Sequence, residues 1–357
     1  MGSLLGRYFS IMTFGESHGA GLGVVIDGLP AGLAISQEDL QRDLDRRKPG
    51  QSEFTTARRE SDQVEILSGL TSQGLTNGAP LALLVRNQEA RGADYAKTAQ
   101  VFRPGHADWT YFKKYGLKPQ AGGGRASGRE TVGRVAAGAV ARQLLKALGI
   151  TVRSGTMAVG PIWVEKIDWA FSETNALKFL DQNSYPQASQ AVLEAKDQGD
   201  SLGSVVTVSA LGLPVGWGDP VFDKLEALLG QAFFSIGAVK AVEFGDGLAL
   251  SRMRGSQAND PMGPQGPLRN RHGGILGGLS SGTELLARLY LKPTPSIALD
   301  QETINLEGQP SIISITGRHD PCLAPRLGPV AEAMCLITLA DCYLRGPAQL
   351  EQIWPPK

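Results

Sequence analysis

Four histidines are the first candidates for acid–base chemistry, because the ordinary pKa of histidine lies closest to neutral pH. His18 is flanked by glycines, and His106 follows a Pro-Gly pair. His272 and His319 also lie near glycine or proline. A solitary histidine is more often structural than catalytic, but active-site residues concentrate in such loops. The sequence therefore predicts a site role for His18 and His106.

A basic, glycine-rich segment indicates an anion-binding site. Residues 103–134 contain seven Lys or Arg against two acidic residues, although the whole chain carries 35 of each. Within this segment, glycines 122–124 precede Arg125, Ser127 and Arg129 at the predicted start of a helix. A glycine loop that enters a helix presents backbone N–H groups and partial positive charge. Because the loop matches neither a P-loop nor the dinucleotide fingerprint, we predict only that the ligand carries phosphate or carboxylate.

Other residues carry weaker signals. The basic run at residues 46–48 complements the dipole at the end of a predicted helix and needs no ligand. Cys322 lies three residues from His319, but no residue is placed to orient it as a nucleophile. The rigid turn at residues 292–296 is compatible with a pocket wall or with a simple connection. No spacing of His, Asp or Glu predicts a metal site.

The composition sets the class of protein. A chain of 357 residues suggests one large domain or two of moderate size. Three cysteines fit neither a disulfide framework nor a zinc site, which favours a reducing compartment. We expect a soluble, cytoplasmic protein, because no apolar run reaches the roughly 18 to 20 residues of a membrane span and no signal-peptide pattern is present. Zero net charge argues against a general nucleic-acid binder, whereas 45 glycines require turns or close backbone approaches.

The residue pattern predicts short strands, hairpins and helices, which favours an α+β fold. Ser36 is a helix cap, and residues 127–130 match a capping box before a second helix. The predicted elements are helices at residues 36–47, 132–148 and 329–344 and strands at residues 81–85 and 239–244.

A weak internal repeat predicts a duplicated core. A strand at residues 24–26, a Gly-Leu-Pro turn and a helix recur 184 positions later, from residues 205–208 to a helix at about 220–233. The alternative is a chance match of five residues. We predict a single domain over residues 1–357, with repeat halves of roughly 1–180 and 181–357.

Three segments resemble the signatures of the chorismate synthase family. They are GESHGAGLGVVIDGLP from Gly15, GGGRASGRETVGRVAAGA from Gly122 and GRHDPCLAPRLGPVAEAM from Gly317. Shorter family-like stretches, such as RRKPGQS, FRPGHAD and KPTPS, lie between them in the expected order. The resemblance covers residues from about 6 to 345 and implies a lyase that eliminates phosphate and a proton from 5-enolpyruvylshikimate 3-phosphate, with reduced FMN (FMNH2) as cofactor. The substrate's phosphate and two carboxylates match a site rich in arginine.

The resemblance also assigns residues. It implies that His18 protonates the departing phosphate, that His106 keeps reduced flavin correctly protonated, and that Asp320 takes up the substrate proton. Ser17 and Ser127 match serines close to flavin and substrate. The implied substrate-binding residues are Arg47, Arg103, Arg129 and Arg318. The implied flavin-binding residues are Arg125, Ala126, Ser127, Ala238, Gly277, Lys292, Pro293, Thr294, Pro295, Ser296 and Arg318.

Further expectations follow from the family. They are an internally duplicated fold with helices sandwiched between antiparallel β-sheets, a homotetramer, and reduced FMN supplied by an external flavin reductase, with no nucleic-acid or membrane partner. Glu53 stands where relatives often carry a basic residue, so NADPH is expected to act only indirectly, if at all. Gly237 replaces a common Asn near the flavin, and residues 118–121 depart from the usual approach to the glycine loop.

Two other classes of function are open to the sequence. A non-catalytic anion- or flavin-binding protein would keep the scaffold but would not need His18, His106 and Asp320 together. A phosphotransferase would depend on magnesium and nucleotide, and the absence of a Walker-type lysine argues against it.

Overall fold

Two five-stranded antiparallel sheets form the framework of the protein. The computed structural model describes residues 2–56, 60–87, 100–315, 317 and 319–350, without the side chains of 121 and 347–350. The strands are β1 Leu4–Leu5, β2 Ser10–Gly15, β3 Gly21–Asp27, β4 Val64–Ser68, β5 Leu81–Arg86, β6 Thr151–Val159, β7 Ile162–Trp163, β8 Ser204–Leu211, β9 Val239–Phe244, β10 Met262–Gly263, β11 Gly266–Pro267, β12 Ile275–Leu276, β13 Leu279–Ser280, β14 Leu285–Leu291, β15 Gln301–Ile304 and β16 Pro310–Ile313. The first sheet has the order β1-β2-β3-β5-β4 and the second β7-β6-β8-β14-β9, and the other six strands form three small hairpins.

Helices fill the space between the sheets. The α-helices are α1 Gln37–Arg47, α2 Asp108–Tyr115, α3 Thr131–Lys146, α4 Trp169–Thr174, α5 Tyr185–Asp197, α6 Leu225–Phe234, α7 Gly255–Ala258 and α8 Ala324–Leu350. Helix α3 packs on β3 of the first sheet and on α8, which in turn packs on β6 and β8 of the second sheet. The predicted α+β fold with helices between antiparallel sheets is therefore confirmed.

Small residues on α3 allow these layers to approach closely. A Cβ atom on Gly133 would lie 2.8 Å from the carbonyl oxygen of Gly23 in β3, and one on Gly138 would lie 2.4 Å from the Cβ of Ala333 in α8. Since real Cβ atoms do not approach other atoms this closely, only glycine fits at either position. Part of the glycine surplus is thus explained by packing in the core.

The order of elements repeats within the chain. The sequence β2-β3-α1-β4-β5-α3 is followed by β6-β8-α6-β9-β14-α8, and corresponding strands occupy corresponding places in the two sheets. The Gly-Leu-Pro turns follow β3 and β8, which are the middle strands. The second set begins at Thr151, about thirty residues before the predicted division near residue 180. The duplicated origin itself stays a prediction.

Local signals placed some helix ends correctly and others wrongly. The Ser36 side chain accepts a hydrogen bond from the Asp39 backbone N–H, as predicted for α1. The capping box at residues 127–130 is wrong, because the Glu130 carboxylate accepts from Thr13 and Arg134 instead. Ser127 caps a short 3₁₀ turn at Gly128–Glu130, and α3 begins only at Thr131. Other 3₁₀ segments in the described part of the chain are Ala121–Ala126 and Gly247–Arg252.

Helix α8 corrects the expectation that no apolar run is long enough to cross a membrane. Its segment Ala324–Gly346 reaches that length, with a mean hydropathy of 1.4 in its most apolar window. However, 83% of that window is buried inside the protein. The apolar character of α8 is therefore accounted for by its contacts with α3 and the second sheet.

Asp341 of α8 anchors the start of β2. One of its carboxylate oxygens accepts hydrogen bonds from three consecutive backbone N–H groups, those of Arg7, Tyr8 and Phe9, at 2.9, 2.6 and 3.1 Å. The other oxygen accepts from Arg345 at 2.8 Å. Asp341 is 4% exposed, so this carboxylate ties the first sheet to the last helix inside the core.

Candidate active site

A cavity of about 300 Å³ opens where the glycine loop, the 103–108 turn and the first turn of α8 meet. Eight of the predicted site residues line it. They are Arg47, Arg103, His106, Ala126, Ser127, Arg129, Ser296 and Asp320. The lining comes from both halves of the chain, so neither half encloses the cavity alone.

The glycine loop fits closely against His18. Gly122, Gly123 and Gly124 all have positive φ angles, of 72°, 91° and 51°. A Cβ atom on Gly122 would lie 2.2 Å from Cε1 of His18 and 2.5 Å from its Nδ1. The Ser17 hydroxyl lies 3.1 Å from the same Nδ1. The loop therefore places His18 and Ser17 next to the cavity, although neither side chain is among those that line it directly.

Two fixed hydrogen bonds orient His106. Its Nδ1 lies 2.9 Å from the carbonyl oxygen of Pro104, which can only accept, so Nδ1 carries a hydrogen. In the neutral ring, Nε2 then accepts from the Ser296 hydroxyl at 2.9 Å. Burial, together with the charge of Arg103, lowers the pKa of His106 to about 4. At neutral pH the ring is therefore uncharged and in one tautomer.

Asp320 is held by one donor from a distant segment and one from the start of α8. Its Oδ1 accepts from the backbone N–H of Thr56 at 2.9 Å, and its Oδ2 accepts from Nη1 of Arg326. The Thr294 hydroxyl donates to its backbone carbonyl at 2.7 Å. Asp320 is 8% exposed and faces the cavity. A carboxylate in this position is suited to accept a proton from a bound molecule.

Arg47 and Arg129 share one buried carboxylate. Asp62 accepts from Nη1 of Arg47 at 3.1 Å and from Nη1 of Arg129 through its other oxygen. Burial and the neighbouring cation of Arg326 lower the pKa of Arg47 to about 9, so it remains charged at neutral pH. Nη2 of Arg129 is buried, and in the described part of the chain it has no hydrogen-bond partner.

Arg103 is paired within its own turn. Its Nε and Nη2 donate to both oxygens of Asp108 at 2.8 and 2.7 Å. Burial alone raises the pKa of Asp108, but the hydrogen bonds and charge of Arg103 outweigh it, so this pKa lies below its ordinary value. His319 lines the cavity nearby, and burial lowers its pKa as well.

One group of predicted flavin-binding residues consists of segment 292–296 and Ala238. Segment 292–296 lies against the 103–108 turn, because Lys292 donates to the carbonyl oxygen of Gly105 at 2.5 Å and Ser296 contacts His106. Ala238 adjoins this segment, since its carbonyl oxygen accepts from the backbone N–H of Lys292 at 3.0 Å.

Arg125 and Gly277 are two further predicted residues that do not line the cavity. The Arg125 guanidinium points toward β2 and donates to the hydroxyl and carbonyl oxygens of Thr13 at 2.8 and 3.2 Å. Gly277 lies in the turn between β12 and β13 and does not line the cavity. Arg318 lies outside the described residues.

Sequence reasoning missed Arg326, Thr56 and Asp62. Arg326 lies inside the third family-like segment, but nothing in the local pattern separates it from other helix-start arginines. Thr56 takes part through its backbone N–H, which any non-proline residue supplies. Asp62 has a positive φ of 47°, and this unusual backbone angle is visible only in the structure.

Comparison with known proteins identifies the family. Residues 9–344 match the sequence profile described as chorismate synthase. The chain belongs to the chorismate synthase family. Chorismate synthase from Wolinella succinogenes is 48% identical over 340 residues, covering 95% of this chain and 94% of the relative. The enzyme from Syntrophobacter fumaroxidans is 49% identical over 351 residues, covering 98% and 99%.

A solved chorismate synthase shares the fold. A crystal structure of chorismate synthase superposes with a TM-score of 0.76 at 30% identity, covering 96% of this chain and 93% of that chain. Because these matches extend over nearly the full length of each protein, the resemblance of the three signatures is confirmed at the level of the family.

Proposed function

We propose that this protein catalyses the 1,4-elimination of the 3-phosphate and a ring proton from 5-enolpyruvylshikimate 3-phosphate, with reduced FMN as cofactor, to give chorismate. The C–O bond to phosphate breaks with its electron pair going to phosphate. The electron pair of the broken C–H bond becomes the new π system, and the proton goes to a base. Membership of the chorismate synthase family and one cavity that joins His106, Asp320 and several arginines carry this proposal.

The arginines support a substrate with several negative charges. Arg47, Arg103, Arg129 and Arg326 line the cavity, against Asp108 and Asp320. One buried guanidinium nitrogen there, Nη2 of Arg129, forms an ion pair with Glu60 at 3.7 Å but lacks a hydrogen-bond partner among the described residues. A buried donor without a hydrogen bond is unfavourable by about 1 to 3 kcal/mol, so a phosphate or carboxylate oxygen at this atom would be stabilising.

The residues present also fit a flavin. The positive-φ glycines keep one wall free of side chains, Ser296 lines the cavity, and Ala238 is hydrogen-bonded to the same segment through Lys292. Ala126, Ser127 and segment 292–296 would hold the cofactor, which supplies an electron-rich ring when bound and undergoes no net oxidation. Arg125 supports the glycine loop through β2 in this proposal, rather than through a contact of its own guanidinium.

The proton-handling groups have separate tasks in this proposal. Asp320 accepts the ring proton, His18 protonates the departing phosphate, and neutral His106 accepts at Nε2 a hydrogen from the flavin or from Ser296. The low pKa of His106 is consistent with its task, because an uncharged imidazole can both accept and donate a hydrogen bond. Negative charge that develops on the phosphate would be stabilised by the fixed arginine cations.

Anaerobic turnover tests the proposal directly. Purified protein is given chemically reduced FMN and 5-enolpyruvylshikimate 3-phosphate, and chorismate absorbance and released phosphate are followed together. We expect equal amounts of both products and none with oxidised FMN. Binding of FMN and substrate without either product would instead identify a non-catalytic binding protein, and dependence on magnesium and nucleotide would identify a phosphotransferase.

Further parts of the proposal concern the setting of the reaction. We infer a homotetramer, an external source of reduced FMN, and a cytoplasmic location, which is consistent with three cysteines that are free and buried. NADPH is proposed to act only through the external reductase. Glu53 supports this, because it is an acidic residue where relatives often carry a basic one.

A further inference from the structure

We propose that Arg326 is the positioning residue for Asp320: it holds this carboxylate in the orientation in which it accepts the ring proton. The inference rests on the proposed function, in which Asp320 is the base. Arg326 would then differ from the other arginines of the site, which are proposed to bind the substrate's anionic groups.

The first observation is the pair of bonds on the carboxylate. The Thr56 N–H holds Oδ1 from residue 56, and Arg326 holds Oδ2 from the first turn of α8. The torsion that rotates an Asp carboxylate has broad minima, so one bond alone does not fix it. Two donors on different oxygens do. Each carboxylate oxygen has a second lone pair, which leaves Asp320 able to accept a proton.

The second observation is that Arg326 is committed to little else. Its Nε is buried without a hydrogen-bond partner in the described part of the chain, and Asp320 is its only ion-pair partner there. Arg47, by comparison, donates to Thr131, Asp62 and the carbonyl oxygen of Gly128. A buried Nε without a partner also occurs in Arg345, so Arg326 is distinguished by the side-chain bond that it does make, which goes to Asp320.

The third observation is the position of Arg326 between two spaces. Its side chain lines the active cavity and also a neighbouring cavity of about 130 Å³. On the active side it lies close enough to Arg47 to lower the pKa of that residue. Asp62 is already shared by Arg47 and Arg129, and the ion-pair partner of Arg326 among the described residues is Asp320. Charge and packing therefore direct the guanidinium to this carboxylate.

Replacement of Arg326 by methionine is the first test. The side chain of Arg326 is 19% exposed, and Arg134 is a matched control at 17%, with an ion pair to Glu130 and no contact with the cavity. A misplacement of about 1 Å in a catalytic group can reduce turnover about 100-fold. For R326M we expect kcat to fall by about that factor with KM changed by less than about fivefold, and for R134M kcat to remain near the wild-type value.

Three readouts separate positioning from a general structural role. With substrate deuterated at the abstracted position, R326M should show a larger primary isotope effect than wild type, because proton removal becomes slower. R326K should recover part of kcat, and guanidinium ion should restore part of the activity of R326A. A crystal structure of R326M should show the Asp320 carboxylate turned away from the Thr56 N–H.

The outcomes are distinguishable from failure of the proposed function. If wild type makes no chorismate, the proposed function fails, and the crystal structure of R326M still tests the positioning role. If wild type is active, a kcat for R326M within threefold of wild type overturns the inference. An unchanged isotope effect with a lowered kcat, or an Asp320 carboxylate that stays in place, also overturns it. Should R326M not fold, R326K and the rescue of R326A carry the same test.

Discussion

The contact between Gly122 and His18 allows a test in which one methyl group is added beside a proposed catalytic residue. In Gly122→Ala, the new Cβ would lie 2.2 Å from Cε1 of His18, whereas ordinary contacts begin at 3.4 Å. The ring must therefore move by about 1.2 Å, or the loop must move with it. Because a displacement of about 1 Å in a catalytic group can reduce the rate about 100-fold, we expect a loss of that order in kcat.

The same substitution has a backbone effect that must be separated from the contact. Gly122 has a φ of 72°, and a left-handed alanine is less stable than glycine by about 1 kcal/mol. Gly116 is a matched control, because its φ is 73° at the end of α2 and nothing lies within 4 Å of its Cβ position. Gly116→Ala should lose a similar amount of stability and keep full activity.

Anaerobic chorismate formation and urea unfolding measure the two effects. We expect both variants to lower the free energy of unfolding by about 1 kcal/mol or more, and only Gly122→Ala to lower kcat about 100-fold. Equal activity of the two variants would refute the reasoning that the glycine loop sets the position of His18. A loss confined to KM would show that the loop binds ligand without positioning the histidine.

Two further predictions concern charge in the core. The pKa of His106 is lowered from 6.5 to about 4, so between these pH values the unfolded chain binds more protons than the folded one. The contribution of neutral His106 to the free energy of unfolding is therefore full above pH 6.5. It falls by up to about 3 kcal/mol as the pH drops toward 4. Urea unfolding of wild type and His106→Asn between pH 4.5 and 7.5 should therefore converge at low pH, and a ring that titrates near 6.5 by NMR would contradict this. Asp341→Ala should lower the free energy of unfolding by about 3 kcal/mol, because three backbone N–H groups, one buried and two half-buried, lose their acceptor. Asp39→Ala, which removes an ion pair with Arg42 and an acidic residue from the first turn of α1, should cost about 1 kcal/mol or less. Similar losses in the two Asp variants would argue against the anchoring role.

Local sequence signals predicted what depends on neighbours in the chain. Ser36 and Asp39 are three residues apart, and their capping hydrogen bond is present. Where a residue had a distant competitor, the local signal failed. Glu130 bonds Thr13 across 117 positions, and this contact removes it from the predicted capping box.

In the candidate site, too, local features were predictable and distant partners were not. The catalytic candidates were identified from residue type, glycine context and the family signatures, and the structure brings most of them to one cavity. Their partners were not predictable, because the bond from Thr56 to Asp320 joins positions 264 apart. The count of basic residues in 103–134 also overstated the free positive charge, since Asp62 and Asp108 already pair with the arginines of the cavity.

The anchor at Asp341 has a consequence for biosynthesis. Arg7 and Asp341 are 334 positions apart, and a ribosome adds roughly 5 to 20 residues each second. The three residues before β2 therefore wait roughly 20 to 70 s for the carboxylate that holds them. During that time the first sheet can already pack on α3, but the backbone N–H groups of residues 7–9 lack their acceptor. The proposed site, which includes Asp320 and Arg326, is likewise completed only after residue 326 has been synthesised.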